Sequence, residues 1–326
     1  MHTLTYAQAL TEGIREEMRR DPKVVVMGED VGKYGGVFGV TRGLFDEFGG
    51  ARVRDCPLNE AAIIGFGIGL AIAGHPTIAE LEFMDFVTFC MDAITNQAPK
   101  LRYFWGGQVQ VPLVVRAPIA STLGFGSQHS QSLESWFMHV PGLKVAMPAT
   151  AYDAKGLIKS AVRDPNPVLF ADSISLYATK GEIPDDEYLV PFGQAEIKRG
   201  GADVTVVALG AMVPQALAAA EELARQGMEA EVIDPRTLAP LDIDTIVASV
   251  EKTGRLVIAH LAHRTGGIGA EIAQQVTERA FDALDGPVVR VAAADVPIAA
   301  SQPLERAVFP EAADIVRACL SFRGRA

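Results

Sequence analysis

Residues 55–75 read DCPLNEAAIIGFGIGLAIAGH. From Ala61 to Gly74 every residue is apolar or glycine, and one carboxylate, Glu60, stands at the entrance. Pro57 and Asn59 just ahead are helix-initiating residues, Asn59 as a side-chain cap. The run is therefore predicted to be a helix starting near Glu60, with its glycines inside the helix, where they allow close packing. A bilayer span takes about 20 apolar residues, so this shorter run is read as a core helix. Glu60 then has two readings. It is a first-turn anion favoured by the helix dipole by about 0.3–1 kcal/mol, or it is a carboxyl group kept from water so that it can exchange a proton with a ligand.

Composition bounds the rest. The chain has 326 residues, 49% of them hydrophobic, and a formal charge of −11. At roughly 150 residues per domain this suits two domains, each with its own core. An acidic balance without clustered Lys and Arg argues against a nucleic-acid surface. Cys56, Cys90 and Cys319 are far apart and in no metal-binding spacing, which predicts reduced thiols and a cytoplasmic location. The opening MHTLTYAQAL lacks a basic segment followed by an apolar one, so neither a secretory signal nor membrane insertion is expected.

Outward from the decisive stretch, β-branched runs alternate with segments of helical period, the pattern of a parallel sheet wrapped by helices. YAQALTEGIREEMRRD (6–21) precedes KVVVMG (23–28), and PTIAELEF (76–83) follows the apolar helix. A helix through MDAITNQAPKLRYF, a strand in VPLVVRAP (111–118), a helix in AYDAKGLIKSAVRD (151–164) and a strand in NPVLFAD complete the first series. Residues 173–201 are charged and turn-rich, a linker with some extended pairing. A second alternating series runs from ADVTVVALG to PVVRVAAAD. The expected fold is α/β, with two doubly wound, mainly parallel-sheet domains at 1–185 and 186–326.

The glycines also invite a dinucleotide-binding reading. GFGIGLAIAG (65–74) imitates G-x-G-x-x-G, but that motif needs a strand feeding a tight turn, and here the glycines fall inside a helix. RTGGIGAEIA (264–273) is better placed, after RLVIAH, yet lacks an acidic ribose ligand about 20 residues on. A nicotinamide-dependent dehydrogenase is the alternative these motifs leave.

Three stretches, VVVMGEDVGKYGGVFGVTRGLFDEFG, VRDCPLNEAAIIGFGIGLAIAG and QHSQSLESWFMHVPGLKVAMPATAYDAKGLIKSAVRDPNPVLF, decide between these readings. In order and spacing they resemble the beta subunit of the thiamine-diphosphate-dependent 2-oxo acid dehydrogenases (pyruvate and branched-chain types) and of their acetoin-cleaving relatives. The resemblance continues through DVTVVALGAMV, AEVIDPRTLAPLD and TGGIGAEIA, and covers nearly the whole chain. It implies a transketolase-like pyrimidine-binding domain over 1–185 and a transketolase C-terminal-like domain over 186–326. The implied activity is oxidative decarboxylation of a 2-oxo acid with reductive acylation of a lipoyl domain. Acetoin cleavage is the rival within the family, and a noncatalytic scaffold subunit, opposed by the presence of both Glu60 and His129, is the rival outside it.

The resemblance also implies roles. Glu60 matches the carboxylate that bonds the cofactor's pyrimidine ring nitrogen and so lets the exocyclic nitrogen take the proton from thiazolium C2. Phe86, in EFMDFVTF, matches an aromatic residue packed on the pyrimidine, and is equally read as core packing. His129, in GSQHSQS, matches an active-site histidine that assists substrate and lipoyl transfer; a loop imidazole bonded to neighbouring hydroxyls is the plainer reading. Glu29, in MGEDV, matches an acid near the site entrance or is a turn carboxylate. Leu113, Ala161, Asp164 and Asn166 match positions whose carbonyls hold potassium in relatives, although DPNP is also an ordinary turn sequence. No Gly-Asp-Gly is present. The resemblance therefore implies that an alpha subunit holds the diphosphate and Mg2+, in a heterotetramer of two alpha and two beta chains that docks on a lipoyl acyltransferase core. Leu261 stands where many relatives have an acid, His263 is added nearby, and the tail LSFRGRA carries two arginines, which makes the second domain's contacts atypical.

Overall fold

The computed structural model describes residues 1–323. The chain forms two compact units. One comprises Met1–Ala120 with Trp136–Phe192, the other Ser121–Ser135 with the chain from Gly193 onward. Against a single boundary at 185/186, this division assigns 121–135 to the second unit.

The first unit begins with β1 (His2–Thr5), which pairs antiparallel with β8 (Lys180–Ile183). Thr5 then starts α1 (Tyr6–Arg20) in a capping box with Gln8, so two donors at the helix start are satisfied at once. Helix α1 lies along α6 (Ala151–Arg163). The approach is close enough that a Cβ on Gly13 would meet Ile158 Cγ2 at 2.7 Å. Lys155 and Lys159, almost wholly buried in this contact, place their ammonium groups on Glu12 and Glu16 at 2.6–2.7 Å. Buried cations are tolerated only when paired in this way.

The strands β2 (Val25–Gly28), β3 (Val53–Asp55), β4 (Thr77–Glu80), β5 (Leu113–Arg116), β6 (Lys144–Ala146) and β7 (Val168–Phe170) are parallel and lie in the order β6-β7-β5-β4-β2-β3. Their near-continuous apolar runs suit a sheet buried on both faces. From β2 the chain winds to β3 on one side, then returns through α3 (Glu60–Ile72) to β4 on the other. The winding direction reverses between β2 and β4, and ligands of open α/β sheets bind outside the carboxyl ends of strands at such a reversal. Gly28 ends β2 so close to β4 that an added Cβ would lie 2.7 Å from the Glu80 carbonyl oxygen.

The remaining helices of this part are α2 (Leu44–Phe48), α4 (Ala98–Phe104) and α5 (Glu134–Met138), whose first two residues fall in the second unit. The helix expected through 91–104 is present, with a π turn over Ala93–Gln97 set between its first residues and α4, and a 3-10 turn over Met84–Cys90 precedes it. Pro99, in the first turn of α4, has no N–H for the bond that would continue the earlier register, and the Ala98 amide reaches back five residues to the Ala93 carbonyl.

The second unit contains β9 (Glu196–Arg199), β10 (Val204–Ala208), β11 (Ala230–Asp234), β12 (Thr237–Ala239), β13 (Leu256–His263) and β14 (Val289–Ala293). One sheet has the order β14-β13-β10-β11-β9, parallel except for β9. Helices α7 (Met212–Arg225), α8 (Ile243–Thr253), α9 (Ile268–Ala280), α10 (Gln302–Val308) and α11 (Ala312–Leu320) accompany it. Strands β8 and β9 are the extended pairing expected within the 173–201 linker. Of the two tail arginines, Arg323 donates to the Gln226 carbonyl, and Arg325 lies outside the described residues. Among the described residues no helix is long and apolar enough to cross a membrane.

One buried cluster ties the carboxyl ends of three strands. Arg116, at the end of β5 and 1% exposed, donates to Glu80 at the end of β4, to Asp172 beyond β7 at 2.9 Å and to the Tyr177 hydroxyl, which itself donates to Asp172. The guanidinium is the only cation bonded to the two acids among the described residues. Arg116→Leu leaves both uncompensated, and is expected to lower the unfolding free energy by about 3–5 kcal/mol, measured by urea denaturation. A loss below 1 kcal/mol would show that the cluster does not hold the sheet ends together.

Candidate active site

The winding reversal concentrates acidic side chains. Glu29 follows the last residue of β2, Glu82 lies two residues beyond β4, and Glu60 opens α3. Asn59 caps that helix as expected, its side-chain oxygen accepting from the Ala62 amide at 3.0 Å. Glu60 is partly buried. Burial pushes the Glu82 carboxyl up to about 7, and the neighbouring charges of Glu29, Asp30, Glu60 and Glu80 push in the same direction. Burial likewise raises Glu29, with Asp30 and Glu60 adding to it. Cys90 rises to about 12, first from burial and then from the charge on Glu60. Glu29, Glu60, Glu82 and Cys90 thus share one electrostatic environment, and among the described residues none of the three acids has an ion-pair partner. Sequence reading singled out Glu29 and Glu60 and missed Glu82. Its signal was the pair of acids in AELEF at a strand end, where Arg116 occupies only Glu80.

Phe86 belongs to the 3-10 turn over Met84–Cys90. Three residues per turn bring every third side chain onto one edge, so Phe83, Phe86 and Phe89 form a ladder. Ring centroids are 5.5 Å apart for the first pair and 6.1 Å for the second. Phe38 closes the inner end at 5.4 Å, edge-on to Phe83. The ladder runs from buried Phe83 to exposed Phe89, and Phe86 is partly covered at its middle. An aromatic surface of this kind offers a face to a planar ring.

Helix α3 is not a fully enclosed core helix. It buries Ile63, Ile64, Gly67, Ile68 and Ala71, while Ala62, Gly65, Phe66, Gly69 and Ile72 face solvent in the single chain. A helix apolar on every side needs covering on every side, and one sheet covers only one face. Leu58, Tyr103, Phe104 and Trp105 extend the exposed apolar surface of this unit. A hollow of about 560 Å³ beside α3 is lined mainly by Met27, Phe45, Val53, Ala62, Ile63 and Phe66, with none of the three acids in its wall. It is a packing socket, separate from the acidic cluster.

His129 lies in the Ser121–Ser135 segment, within the second unit. Gly124 and Gly126 there have φ of +79° and +81°, values that suit glycine. The Gly124 amide donates to buried Glu305 at 3.0 Å, and the Ser121 hydroxyl donates to the Ser130 carbonyl at 2.7 Å. His129 is partly buried on this pinned loop. A hollow lined by Ser127, Gln131, His263, Thr265 and Asp295 adjoins the loop. The His263 Nδ1–H donates to the Ala294 carbonyl at 2.7 Å, which fixes the proton on Nδ1. Leu261 is buried.

Of the positions matched to a potassium site, Ala161 lies in the last turn of α6, where its carbonyl accepts from the amide of the C-cap Asp164 at 3.2 Å. The Pro165 carbonyl accepts from the Val111 amide at 2.9 Å, which brings the 164–166 turn beside the start of β5 and Leu113. Asp164 holds the Asn166 amide at 2.9 Å through one oxygen and Lys144 through the other. The Asp164 carboxylate is therefore committed, and backbone carbonyls are the oxygens left for an ion.

Comparison with known proteins agrees with this geometry. Residues 2–179 match the transketolase pyrimidine-binding domain and residues 193–315 the transketolase C-terminal domain. The chain is 45% identical over 325 residues to the beta subunit of acetoin:2,6-dichlorophenolindophenol oxidoreductase from Cupriavidus necator, covering 97% of this chain and 96% of that one. It is 43% identical over 319 residues to the beta subunit of the pyruvate dehydrogenase E1 component from Rhizobium meliloti, covering 98% and 69%, and 44% identical over 303 residues to its counterpart from Bacillus subtilis, covering 93% of each. Among solved structures it is similar to a chain described as a split-gene transketolase, inactive beta4 tetramer, with a TM-score of 0.80, 25% identity and coverage of 98% and 97%. Fold and site thus define a transketolase-like pyrimidine-binding unit joined to a transketolase C-terminal unit. The chain belongs to the beta-subunit family of the thiamine-diphosphate-dependent 2-oxo acid and acetoin dehydrogenases.

The raised carboxyl of Glu82 has a thermodynamic consequence. Between its ordinary value of 4.5 and about 7 the folded chain binds more protons at Glu82 than the unfolded chain does. Stability through this group is present at low pH and is lost as pH rises through that window. Glu82→Gln removes the titration. Its melting temperature relative to wild type should therefore increase from pH 5 to about pH 7 and level off above it, and a pH-independent difference in scanning calorimetry would contradict the assignment.

Proposed function

We propose that this chain supplies the pyrimidine half of a thiamine diphosphate site and that the assembled enzyme oxidatively decarboxylates a 2-oxo acid, passing the acyl group to a lipoyl domain. The observation that carries this reading is the meeting of Glu60, Glu29 and Glu82 at the carboxyl ends of β2 and β4, at the head of an apolar helix. A partly buried carboxylate with no cationic partner fits the ring nitrogen of an aminopyrimidine, and the Phe83–Phe86–Phe89 ladder fits its plane. The residues do not fit the cofactor's other end. Without Gly-Asp-Gly, an alpha subunit holds the diphosphate and its Mg2+, whose coordination needs carboxylate and amide oxygens together with the phosphates.

When bound, thiamine diphosphate supplies the electron sink for the carbon that loses carbon dioxide. Glu60 holds a proton at the pyrimidine nitrogen, Phe86 fixes the ring, and Glu29 and Glu82 keep the entrance acidic while Glu82 releases and retakes a proton near neutral pH. His129, on its pinned loop, serves substrate and lipoyl transfer. The exposed face of α3, with Phe66, Tyr103 and Trp105, is covered by partner chains in a heterotetramer of two alpha and two beta subunits. The description of the split-gene transketolase as an inactive tetramer of beta chains is consistent with a chain inactive by itself. The second unit docks the lipoyl acyltransferase core. The three unpaired thiols support a cytoplasmic site of action.

Acetoin cleavage is the second reading, favoured by a match that spans 96% of the Cupriavidus subunit. We expect the chain alone to bind thiamine diphosphate and magnesium too weakly to register by calorimetry. Once assembled with its alpha partner, it should reduce lipoyl domains faster with pyruvate or branched 2-oxo acids than with acetoin. Tight binding by the lone chain would refute the divided site, and a preference for acetoin would move the enzyme to the second reading.

The carbonyls around Leu113, Ala161, Asp164 and Asn166 are proposed to hold potassium. A saturating ion that binds only the folded state adds about 2.7 kcal/mol at a hundred times its dissociation constant. Melting of the assembled enzyme should therefore rise in potassium over sodium at equal ionic strength, and coincident curves would remove the site.

A further inference from the structure

The second unit carries a basic hollow that the proposed reaction does not use. It lies along the edge strand β14, between that strand and the chain from α10 to Pro310, with a volume of about 540 Å³. Arg264, Arg290 and Arg306 all line it, in a chain whose formal charge is −11. The first two hold each other in place. Arg264 donates through Nη1 to the Arg290 carbonyl at 2.9 Å, and Arg290 donates through Nη1 to the Arg264 carbonyl at 2.8 Å. The stem of Arg290 rests on α9, its Cδ 3.4 Å from where a Cβ on Gly269 would lie. This reciprocal clasp orders two guanidinium forks and spends one donor nitrogen of each.

Among the described residues no carboxylate lies within ion-pair distance of any of the three arginines. Two acids stand in the wall, and both are committed elsewhere. Asp295 accepts from the Thr265 amide at 3.0 Å and the Thr265 hydroxyl at 2.7 Å, and the charge of Arg264 reaches it from farther off. Asp314 accepts from the Glu311 amide at 2.8 Å and pairs with Arg317. Buried behind the hollow, His260 is held down to about 4, chiefly by burial and then by the charges of Arg290 and Arg264. Three guanidiniums with no carboxylate at ion-pair distance outweigh the two acids of the wall and form a site for an anion of more than one charge. Their planar forks match the oxygens of phosphate, and Ala307, Phe309 and Pro310 provide an apolar floor for a carbon body. The volume falls within the 300–1,000 Å³ usual for small-molecule sites.

We propose that this hollow binds a small organic phosphate bearing two or more negative charges, gripped by Arg264, Arg290 and Arg306. This proposal stands independently of the reaction assigned to the acidic cluster.

Isothermal titration calorimetry of the full chain with inorganic pyrophosphate, ATP and sulfate tests it. Pyrophosphate and ATP should each bind at one site per chain, more tightly than sulfate. Tighter binding of ATP than of pyrophosphate would place the organic body on the apolar floor, and equal binding would mean recognition through phosphate alone; either supports the site. Arg306→Gln, at a side chain that bonds nothing else in the fold among the described residues, should weaken pyrophosphate binding about tenfold or more, the loss of one charge-assisted contact. Arg264→Gln combined with it should abolish binding while the circular dichroism spectrum is unchanged. Sulfate binding as tightly as pyrophosphate, heat no greater than dilution, or affinity unaltered in the double variant would each overturn the proposal.

Discussion

The architecture of the first unit turns on the cost of keeping carboxylates out of water without cations. Glu29, Glu60 and Glu82 meet where the winding of a parallel sheet reverses, and the sheet geometry fixes their positions because Gly28 lets β2 end tightly against β4. One layer beneath, Glu80 and Asp172 face the same difficulty and are neutralised by Arg116. The contrast is informative. The lower acids are paired and hold strand ends together, whereas the upper three are unpaired, and burial first, then the charges of the neighbouring acids, raise the Glu82 carboxyl to about 7. Under the proposed function, the acids from which an arginine is withheld are the ones that meet the ligand.

The same region has an unsatisfied apolar requirement. Helix α3 presents hydrophobic residues on all sides, and the sheet covers only the face of Ile64 and Ile68. Phe66 and Ile72, together with the aromatic run Tyr103–Trp105, lie open in the single chain. Acid cluster and exposed apolar helix meet at Glu60, so in the proposed heterotetramer a surface that covers the helix also removes water from around Glu60. Under the proposed function, assembly and activation of the site are then one event.

Much of this was legible in the sequence, for local reasons. Asn59 ahead of an apolar run predicted the start of α3 and so placed the glycines inside a helix, which set aside the dinucleotide motif. The alternation of β-branched and amphipathic segments gave two mainly parallel sheets. Four features were not legible. The π turn at Ala93–Gln97, inside the helix expected over 91–104, depends on the missing N–H of Pro99, which changes hydrogen-bond register and leaves hydrophobic pattern untouched. The membership of Ser121–Ser135 in the second unit depends on long-range bonds such as Gly124 to Glu305, which no local pattern encodes. Glu82 looked like one of two equivalent acids in AELEF until Arg116, far away in sequence, was seen to occupy only Glu80. The exposed face of α3 was misread as core because hydrophobicity alone does not distinguish a residue buried within a chain from one buried between chains.

The central claim is that Glu60 is a proton-handling group and not merely a helix-dipole anion. Hydrogen–deuterium exchange at C2 of thiamine diphosphate bound to the assembled enzyme, followed by NMR after acid quench, tests it most directly. The account predicts that Glu60→Gln slows exchange by about 10²–10⁴-fold, the usual contribution of a positioned acid or base, while cofactor affinity and melting temperature stay near those of wild type. An exchange rate equal to wild type in a folded, cofactor-bound variant would contradict it.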